Sequence, residues 1–441
     1  MRVNMEDKNG DLLRPLYIEC GTTMVHSSFN TGIQRVVRNI VKESTLVGSK
    51  FGFKCIPLEL YQGDFYTIDL DAKLTTAQDS KPLSFKSLIK FFIKSLLVIL
   101  DREISKLCNY SYYQQLRKKL KQKIKQRGKN QNKTVIKLNP YGDRETPSVL
   151  LLLDSTWDNA IWPQVDEFRK NGGIVCAVVY DLIPFTHPDT VAELTRTLHT
   201  SWWNQAPHHI DTIMCISKSM RQCYLDWQVQ RNLPNPLPGR KIGYFYLGSD
   251  MASTDPLINL LTDNEPYFLM VGSLEPRKNH NTVLTAFEQL WASGLKARLA
   301  IVGAFGWKSN DLIERVQNHP QLNHQLFLIR DASDRDLTGL YNKTNGLIIA
   351  SVTEGFGLPI VEAYHHDAPV ICSDIPVFRE VGGEEVCYFE VLNPTSLATQ
   401  IIAKMESGER AYVKPKTKVQ RWITWQESTE RLLNQVSRME K

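Results

Sequence analysis

Residues 351–363 read SVTEGFGLPIVEA and directly follow the apolar run GLIIA at residues 346–350. The run predicts a buried strand, and the residues after it predict a glycine turn leading into a helix that begins near Pro359. Proline suits the first turn of a helix because its missing N–H is not needed there. A strand that passes through such a turn into a helix is the repeating unit of a parallel α/β sheet. This stretch therefore indicates an α/β fold.

The same strand–helix pattern recurs on both sides of residues 249–266, a polar, proline-bounded stretch that we interpret as a linker. The apolar runs are residues 16–20, 149–154, 174–181, 213–217 and 242–248 before it, and residues 267–273, 298–303, 326–329, 346–351 and 369–374 after it. Continuous rather than alternating apolar strands fit parallel sheets that helices cover on both faces. We predict two Rossmann-like domains facing a cleft, at residues 1–255 and 256–415, followed by a C-terminal helix at residues 416–441.

Composition limits the classes of protein that this chain can belong to. The 441 residues are 42% hydrophobic and 23% charged, which argues against disorder. No apolar run reaches the ~18–20 residues that a membrane-spanning helix needs, and residues 1–15 lack the hydrophobic stretch of a signal peptide. The eight cysteines form no C-x-x-C pair, so we expect reduced thiols, most of them buried, rather than a zinc or redox site.

Residues 84–137 interrupt the α/β pattern and hold the whole net positive charge of the protein. They contain 15 Lys and Arg against two acids, a net of +13, whereas the whole chain has a net charge of only +6. Apolar residues spaced for helices lie among these cations, a composition typical of an amphipathic helix on anionic lipid. We favour contact with a membrane surface. A helical insertion packed on its own domain, and nucleic-acid binding, are the alternatives.

The turn in residues 351–363 offers a site for an anion and for hydroxyl groups. Gly355 and Gly357 allow a ligand to approach the backbone, and the helix behind them presents unpaired N–H groups. Glu354 on the turn and Glu362 within the helix add two carboxylates that can accept hydrogen bonds from hydroxyls. A glycine turn before a helix is a weak pattern, and the two flanking carboxylates make it more specific.

Arg277 and Lys278 lie between the first strand of the second domain and the next helix. Cations are disfavoured at a helix N-terminus, so their position there suggests an anion that they neutralise. An adjacent guanidinium and ammonium can hold two phosphates, the first as a planar fork and the second as a point charge. The alternative is a solvated basic pair.

Two segments of the first domain carry weaker signals. Gly32 opens the first helix and would permit backbone approach to a ligand, although any strand–helix turn favours glycine. Asp181 ends a buried strand at the expected cleft edge, where it could orient a hydroxyl or accept a proton. An equally good interpretation is that Asp181 caps the following turn, and His187 is best interpreted as a loop residue.

At these motifs the chain resembles glycosyltransferase family 4, the retaining nucleotide-sugar enzymes with the two-domain GT-B fold. The resemblance lies in residues 271–280, 301–309, 333–363 and 369–383. Residues 32–39 and 180–188 are similar to segments of bacterial mannosyl- and rhamnosyl-type transferases that build O-antigen or capsule. Residues 422–436 resemble the closing helix that crosses back to the first domain in this fold.

The resemblance implies a role for each matching residue. Arg277 and Lys278 would hold the donor diphosphate, Glu354 would contact the transferred sugar, and Glu362 would bind the ribose. The remaining donor-binding residues that it implies are Gly32, Gly303, Gly355, Phe356, Gly357 and Leu358. It implies no metal and no other cofactor, because the cationic pair takes the place of a metal. One departure is Tyr180-Asp181, where many relatives have His-Asp, so no histidine is assigned there.

The function that follows is retaining transfer of a hexose, with mannose from GDP-mannose as the best candidate, to a lipid-linked saccharide. The protein would lie at the cytoplasmic face of the bacterial membrane, with residues 84–137 on anionic lipid and no nucleic-acid partner. A nucleotide-sugar epimerase on the same fold and a non-catalytic basic binding module are the alternatives. The second does not explain the Arg-Lys pair or the two glutamates.

Overall fold

A computed structural model describes residues 12–26, 32–61, 63–70, 136–140, 146–155, 157–231, 241–250, 266–407 and 422–438. Contacts divide the chain into two compact units, one made of Met1–Asp64 and Lys137–Lys441 and the other of Phe65–Ile136. In the second unit, the N–H of Ile136 donates a hydrogen bond to the carbonyl of Phe65 at 2.9 Å. Residues 84–135, which carry nearly all of the predicted basic segment, lie outside the described residues. So do the predicted domain boundaries near residues 255 and 415.

The first half of the larger unit contains a parallel sheet, as the apolar runs predict. Its strands are β1 (Arg14–Glu19), β2 (Phe53–Tyr61), β4 (Val149–Leu152), β5 (Ile174–Val179), β6 (Thr212–Cys215) and β7 (Lys241–Tyr244). A further short strand, β3 (Asp64–Thr67), contains the point where the chain passes from the first unit to the second. The six parallel strands are ordered β2-β1-β4-β5-β6-β7. The sequence did not predict β2. It contains Pro57, which cannot donate a ladder hydrogen bond and weakens any strand pattern.

The second half contains a second parallel sheet. Its strands are β8 (Tyr267–Val271), β9 (Arg298–Val302), β10 (Leu326–Ile329), β11 (Gly346–Ile349), β12 (Val370–Ser373) and β13 (Cys387–Phe389). They are ordered β10-β9-β8-β11-β12-β13. Along β8, Phe268 and Met270 belong to one buried cluster, and Tyr267 and Leu269 belong to another. Both faces of the sheet are therefore covered, which explains why its strands are apolar throughout.

Helices connect the strands of both sheets. In chain order they are α1 (Gly32–Val47), α2 (Trp162–Lys170), α3 (Ile183–Thr186), α4 (Glu193–Gln205), α5 (Lys218–Gln230), α6 (His280–Ala292), α7 (Asn310–Gln317), α8 (Asp334–Lys343), α9 (Leu358–His365), α10 (Pro376–Gly382), α11 (Pro394–Glu406) and α12 (Trp425–Ser437). None of the helices in the described part of the chain has both the length and the apolar character needed to cross a membrane.

The C-terminal helix α12 packs on the first half, as the sequence resemblance implied. Its N-terminus is closed by a capping box between Thr424 and Glu427. Near its other end, Arg14 of β1 donates from Nη2 to the carbonyl of Val436 at 3.1 Å. The N–H of Ser249 donates to the carbonyl of Ile423 at 2.9 Å. Helix α12 therefore packs against the half of the protein that contains β1.

Candidate active site

The turn that leads from β11 into α9 has the geometry of an anion site. Gly357 has a φ of 106°, in the left-handed region that favours glycine, and it directly precedes the helix. The helix begins at Leu358, one residue earlier than predicted, and Pro359 lies in its first turn. Phe356 is buried against Tyr246, with 6.2 Å between ring centroids. Phe356 can therefore offer a ligand only its backbone.

Both predicted cations lie beside the predicted carboxylate of this turn. Arg277 and Lys278 belong to a short 3-10 helix, Pro276–Lys278, between β8 and α6. Arg277 Nη1 lies 2.9 Å from Glu354 Oε1, and Lys278 Nζ donates a hydrogen bond to the same oxygen. The N–H of Val352 donates to the carbonyl of Arg277 at 2.9 Å, which fixes the two loops together. The three side chains are between 12% and 20% exposed.

The charges in this cluster stabilise one another. Burial alone would raise the pKa of Glu354, but Arg277, Lys278 and the hydrogen bonds from Lys278 and Ser351 outweigh it and lower this pKa to about 2. Burial alone would lower the pKa of Arg277, and the surrounding Glu354, Glu275 and Asp181 raise it above its ordinary value. At neutral pH the site therefore holds an ionised carboxylate between two cations.

Glu275 completes the cluster and was not identified from the sequence. It accepts hydrogen bonds from Arg277 Nε at 3.1 Å and from the hydroxyl of Ser273 at 2.7 Å. A guanidinium has five N–H donors and an ammonium has three, so Arg277 and Lys278 keep donors beyond those that reach Glu275 and Glu354. The pair is thus neutralised by carboxylates and can still bind a further anion.

Asp181 lies just after β5 and next to Tyr180, whose carbonyl oxygen meets Gly355 of the second half. Burial raises the pKa of Asp181, and the charge of Arg277 opposes that rise. Asp181 Oδ1 also accepts a hydrogen bond from the N–H of Ile183 at 3.1 Å, so it caps the following turn as well. The capping interpretation of Asp181 is therefore confirmed, and its role toward an acceptor hydroxyl stays a prediction. The Nδ1 atom of His187 lies 2.9 Å from the hydroxyl of the neighbouring Thr186, which fits a loop residue.

The halves touch at Gly355. A Cβ added there would overlap the carbonyl oxygen of Tyr180, so only glycine fits. The hydroxyl of Ser217, at the start of α5, donates to the carbonyl of Gly355 at 2.9 Å. The Tyr180 side chain points to its own half, where its hydroxyl donates to the carbonyl of Leu153 at 2.7 Å. Tyr180, the residue at which the sequence departs from the resemblance, therefore has a structural contact within its own half.

Glu362 is buried in α9 and has two partners. Tyr341 donates from its hydroxyl to Glu362 Oε2 at 2.9 Å, and Arg35 of α1 binds Oε1. Arg35 also lies 3.5 Å from Asp334 at the start of α8. The carboxylate that the resemblance assigns to ribose is therefore held by a cation from the opposite half. Gly32 in this helix was selected from the sequence, but Arg35 was missed. The helical pattern does not distinguish an arginine that pairs with a carboxylate from one that faces solvent.

The remaining predicted residues lie at the same boundary or behind it. Gly32 is exposed, and an added Cβ would meet only Leu358 Cδ1, at 3.9 Å. Leu358 thus lies opposite Gly32. Gly303 follows β9, and an added Cβ there would overlap the carbonyl oxygen of Gly272. The structure therefore shows a packing reason for Gly303, and its contact with a donor remains a prediction.

Two parallel α/β halves that meet at the loops after their strands, with a C-terminal helix returning to the first half, define the GT-B fold. Residues 254–420 match the family model "Glycosyl transferases group 1". The structure of HepE from Anabaena in complex with UDP and glucose has a TM-score of 0.57 at 11% identity, covering 97% of this chain and 100% of HepE. Sucrose-phosphate synthase from Thermosynechococcus elongatus has a TM-score of 0.54 at 14% identity, covering 96% of both chains. Such distant structures show the fold alone.

The chain also resembles O-antigen mannosyltransferases in sequence. It is 35% identical over 280 residues to the serotype-specific mannosyltransferase WbdA of Escherichia coli, covering 61% of this chain and 34% of WbdA. It is 31% identical over 205 residues to the O-antigen chain mannosyltransferase RfbU of Salmonella typhimurium, covering 46% of this chain and 53% of RfbU. The matches thus span between about a third and a half of the length of these relatives.

Proposed function

We propose that this protein is a retaining glycosyltransferase that moves a hexose from a nucleotide sugar to a lipid-linked saccharide in the synthesis of a cell-surface polysaccharide such as O-antigen. The proposed sugar is mannose and the proposed donor GDP-mannose, because WbdA and RfbU are mannosyltransferases. The observation that carries the proposal is the meeting of Arg277, Lys278 and Glu354 beside the glycine turn before α9.

The chemistry follows from the charges in this cluster. Breaking the bond between sugar and diphosphate adds negative charge to the leaving phosphate. Arg277, Lys278 and the N–H of Leu358 would stabilise that added charge more than they stabilise the intact donor, which lowers the barrier. The next two positions add no free N–H, because Pro359 has none and the N–H of Ile360 donates to the carbonyl of Gly357 at 2.9 Å. Glu354 and Glu275 hold the two cations in place before a donor arrives.

Retention is proposed to occur by attack of the acceptor from the side that the diphosphate leaves, with the leaving phosphate taking the acceptor proton. The charge of Arg277 acts on the buried Asp181, and we propose that Asp181 orients the acceptor hydroxyl. Replacing Asp181 by Asn should therefore reduce transfer. If this variant transfers as well as the parent protein while Glu354→Ala does not, Asp181 has no such role.

Donor binding is proposed to need no metal, with Arg277 and Lys278 supplying the positive charge. The described residues contain no group of three or more His, Cys, Asp or Glu that is arranged to hold a metal ion. Transfer in excess EDTA should equal transfer in added Mg²⁺ or Mn²⁺. Loss of activity in EDTA that either ion restores would contradict this part.

The protein is proposed to act at the cytoplasmic face of the membrane, with residues 84–137 against anionic lipid. The net charge of +13 in this segment supports the proposal. The fraction of protein that sediments with anionic vesicles should fall as the salt concentration rises. With neutral vesicles, little protein should sediment. Equal recovery with both would contradict lipid-charge binding.

The decisive experiment is a panel of GDP-, UDP- and dTDP-sugars with a synthetic lipid-linked saccharide, followed by product mass and anomeric configuration. GDP-mannose should give an α-linked product. An epimerase would convert a donor without acceptor. If no donor is turned over and no nucleotide raises the thermal stability, the non-catalytic binding module is the remaining interpretation.

A further inference from the structure

Glu380 of α10 reaches from the second half of the protein to the first turn of α5 in the first half. Its Oε1 accepts a hydrogen bond from the N–H of Lys218 at 2.6 Å, and its Oε2 accepts one from the N–H of Ser219 at 2.7 Å. The hydroxyl of Ser219 donates to Oε2 as well. The first N–H groups of a helix have no partner within the helix, and the helix dipole favours a carboxylate beside them. Glu380 therefore caps a helix whose first residue lies 162 positions earlier in the chain.

Tyr246 supplies a further donor to the same carboxylate. Its hydroxyl makes a hydrogen bond with Glu380. Burial and the charge of Glu380 raise the pKa of Tyr246, so the hydroxyl keeps its proton and donates it to this bond. A carboxylate accepts about four hydrogen bonds, and the first half supplies donors from Lys218, Ser219 and Tyr246. Glu380 is thus a concentrated point of contact between the halves.

The two helices that Glu380 joins also enclose the glycine turn of the proposed donor site. From the second half, Phe378 of α10 lies against Gly357, where an added Cβ would come within 3.0 Å of the Phe378 ring. From the first half, Ser217, directly before α5, donates from its hydroxyl to the carbonyl of Gly355 at 2.9 Å. The glycine turn is therefore held between α10 and the start of α5.

The position of this turn depends on the distance between α5 and α10. If the first turn of α5 moved away from Glu380, the hydrogen bond from Ser217 to the turn would lengthen with it. The packing of Tyr246 against Phe356 in the turn would loosen for the same reason. Glu354, which holds Arg277 and Lys278, directly precedes these contacts in the chain. The link from Glu380 to α5 therefore bears on the phosphate-binding residues.

From this arrangement we propose that Glu380 is a positioning residue of the donor site. By holding the first turn of α5 against α10, it keeps the Ser217 hydroxyl on the carbonyl of Gly355, and so fixes the glycine turn and Glu354 before a donor binds. The proposal rests on the proposed function, because it takes the glycine turn as part of the donor site.

Two variants separate this role from simple capping of α5. Glu380→Ala removes the cap of α5 and the link between the halves together. Adding Ser219→Asp returns a carboxylate to the first turn of α5, but this carboxylate belongs to α5 itself and makes no link to α10. If capping of α5 is all that matters, the double variant should recover fully. Glu384→Ala is a matched control, because Glu384 is an exposed glutamate four residues further along the same half.

The first measurement is amide hydrogen exchange without ligand, in peptides that cover residues 217–221 and 352–358. Glu380→Ala should exchange about tenfold faster than the parent in both peptides, and Glu384→Ala should match the parent. In the double variant, residues 217–221 should regain protection while residues 352–358 stay fast. Parent-like exchange of residues 352–358 in Glu380→Ala, or their recovery in the double variant, would overturn the proposal. Glu380→Gln, which keeps the shape but loses the charge, should show the same pattern more weakly and serves if Glu380→Ala does not fold.

The second measurement is calorimetric binding of GDP, UDP and dTDP, followed by transfer kinetics. If the binding-competent arrangement falls to about a tenth of the molecules, the apparent Kd rises about tenfold. Glu380→Ala and the double variant should show this rise for the nucleotide that binds best, and Glu384→Ala should not. In transfer, the donor KM should rise and the acceptor KM should stay the same.

The two measurements distinguish the two levels of inference. An unchanged Kd and donor KM in Glu380→Ala would overturn the role of Glu380 and leave the proposed function standing. A parent protein that binds no nucleotide and transfers nothing would refute the proposed function. The exchange of residues 352–358 would then still decide whether Glu380 positions the glycine turn.

Discussion

Arg35 and Glu362, which are 327 residues apart in the chain, form an ion pair that joins the two halves of the protein. Arg35 is 25% exposed and Glu362 only 5%, so the pair is largely shielded from water. Tyr341 binds the other oxygen of the same carboxylate. Both oxygens are thus occupied before any nucleotide binds. A ribose that bound Glu362 would have to share it with Arg35 or displace Arg35.

Removing Arg35 should destabilise the fold, because Glu362 would remain buried with Tyr341 as its main partner. Exposed pairs contribute about 0–1 kcal/mol and breaking a buried pair costs about 3–5 kcal/mol, so Arg35→Ala should cost about 2 kcal/mol. Urea unfolding of Arg35→Ala, Glu362→Gln and the double variant measures the coupling. Lys50→Ala, which breaks the more exposed pair with Glu430, should cost under about 1 kcal/mol. Strictly additive effects of the two substitutions would contradict a direct interaction.

Removing Arg277 or Lys278 should slow the proposed transfer. Lys278→Met and Arg277→Met should each lower kcat by about 10²–10³, equivalent to about 3–4 kcal/mol of transition-state stabilisation. Arg277→Lys should not restore the rate, because an ammonium lacks the planar fork of a guanidinium. Steady-state kinetics with the best donor measures this. The control is Arg379→Met, which removes an exposed partner of Asp374 and should leave kcat within twofold. If the variants change only the donor KM, Arg277 and Lys278 bind the donor equally strongly in the ground state and in the transition state.

Acid should weaken the fold through Glu354. Its pKa is lowered from 4.5 to about 2 in the folded protein, so its ionised form stabilises the fold above pH 4.5. This contribution, a few kcal/mol in order of magnitude, should disappear as the pH falls from about 4.5 to about 2. Glu354→Gln has no such charge to lose. The difference in free energy of unfolding between the parent and this variant should therefore shrink across that window. A constant difference would show that Glu354 is not the group that titrates.

Two glycine substitutions should differ in how much they lower the free energy of unfolding. Gly355→Ala would overlap the carbonyl oxygen of Tyr180, so the halves would have to separate, at about 1–3 kcal/mol. Gly32→Ala meets only Leu358 at 3.9 Å and should fold with nearly unchanged stability. If a ligand approaches the backbone at Gly32, as the sequence suggests, Gly32→Ala should nevertheless weaken nucleotide binding. Thermal unfolding with and without nucleotide measures both. Unchanged binding in a stable Gly32→Ala would remove Gly32 from the site.

The sequence predicted the fold class because burial on both faces leaves a direct trace in a strand. A parallel strand between two helix layers is apolar throughout, as in β5 and β8, and the glycine and proline turns mark where each strand ends. The same logic placed Arg277, Lys278 and Glu354 in loops after strands of the second domain. Parallel strands deliver such loops to one edge, so these residues were expected near one another.

The chain by itself thus determined two α/β halves, the glycine turn and the residue types that could meet an anion. Only the tertiary structure decided which distant partners meet. The contact of Arg35 with Glu362 and that of Ser217 with the carbonyl of Gly355 leave no local pattern. An arginine on a helix has the same spacing whether it faces water or a carboxylate. Its environment depends on packing between segments hundreds of residues apart, which local periodicity does not encode.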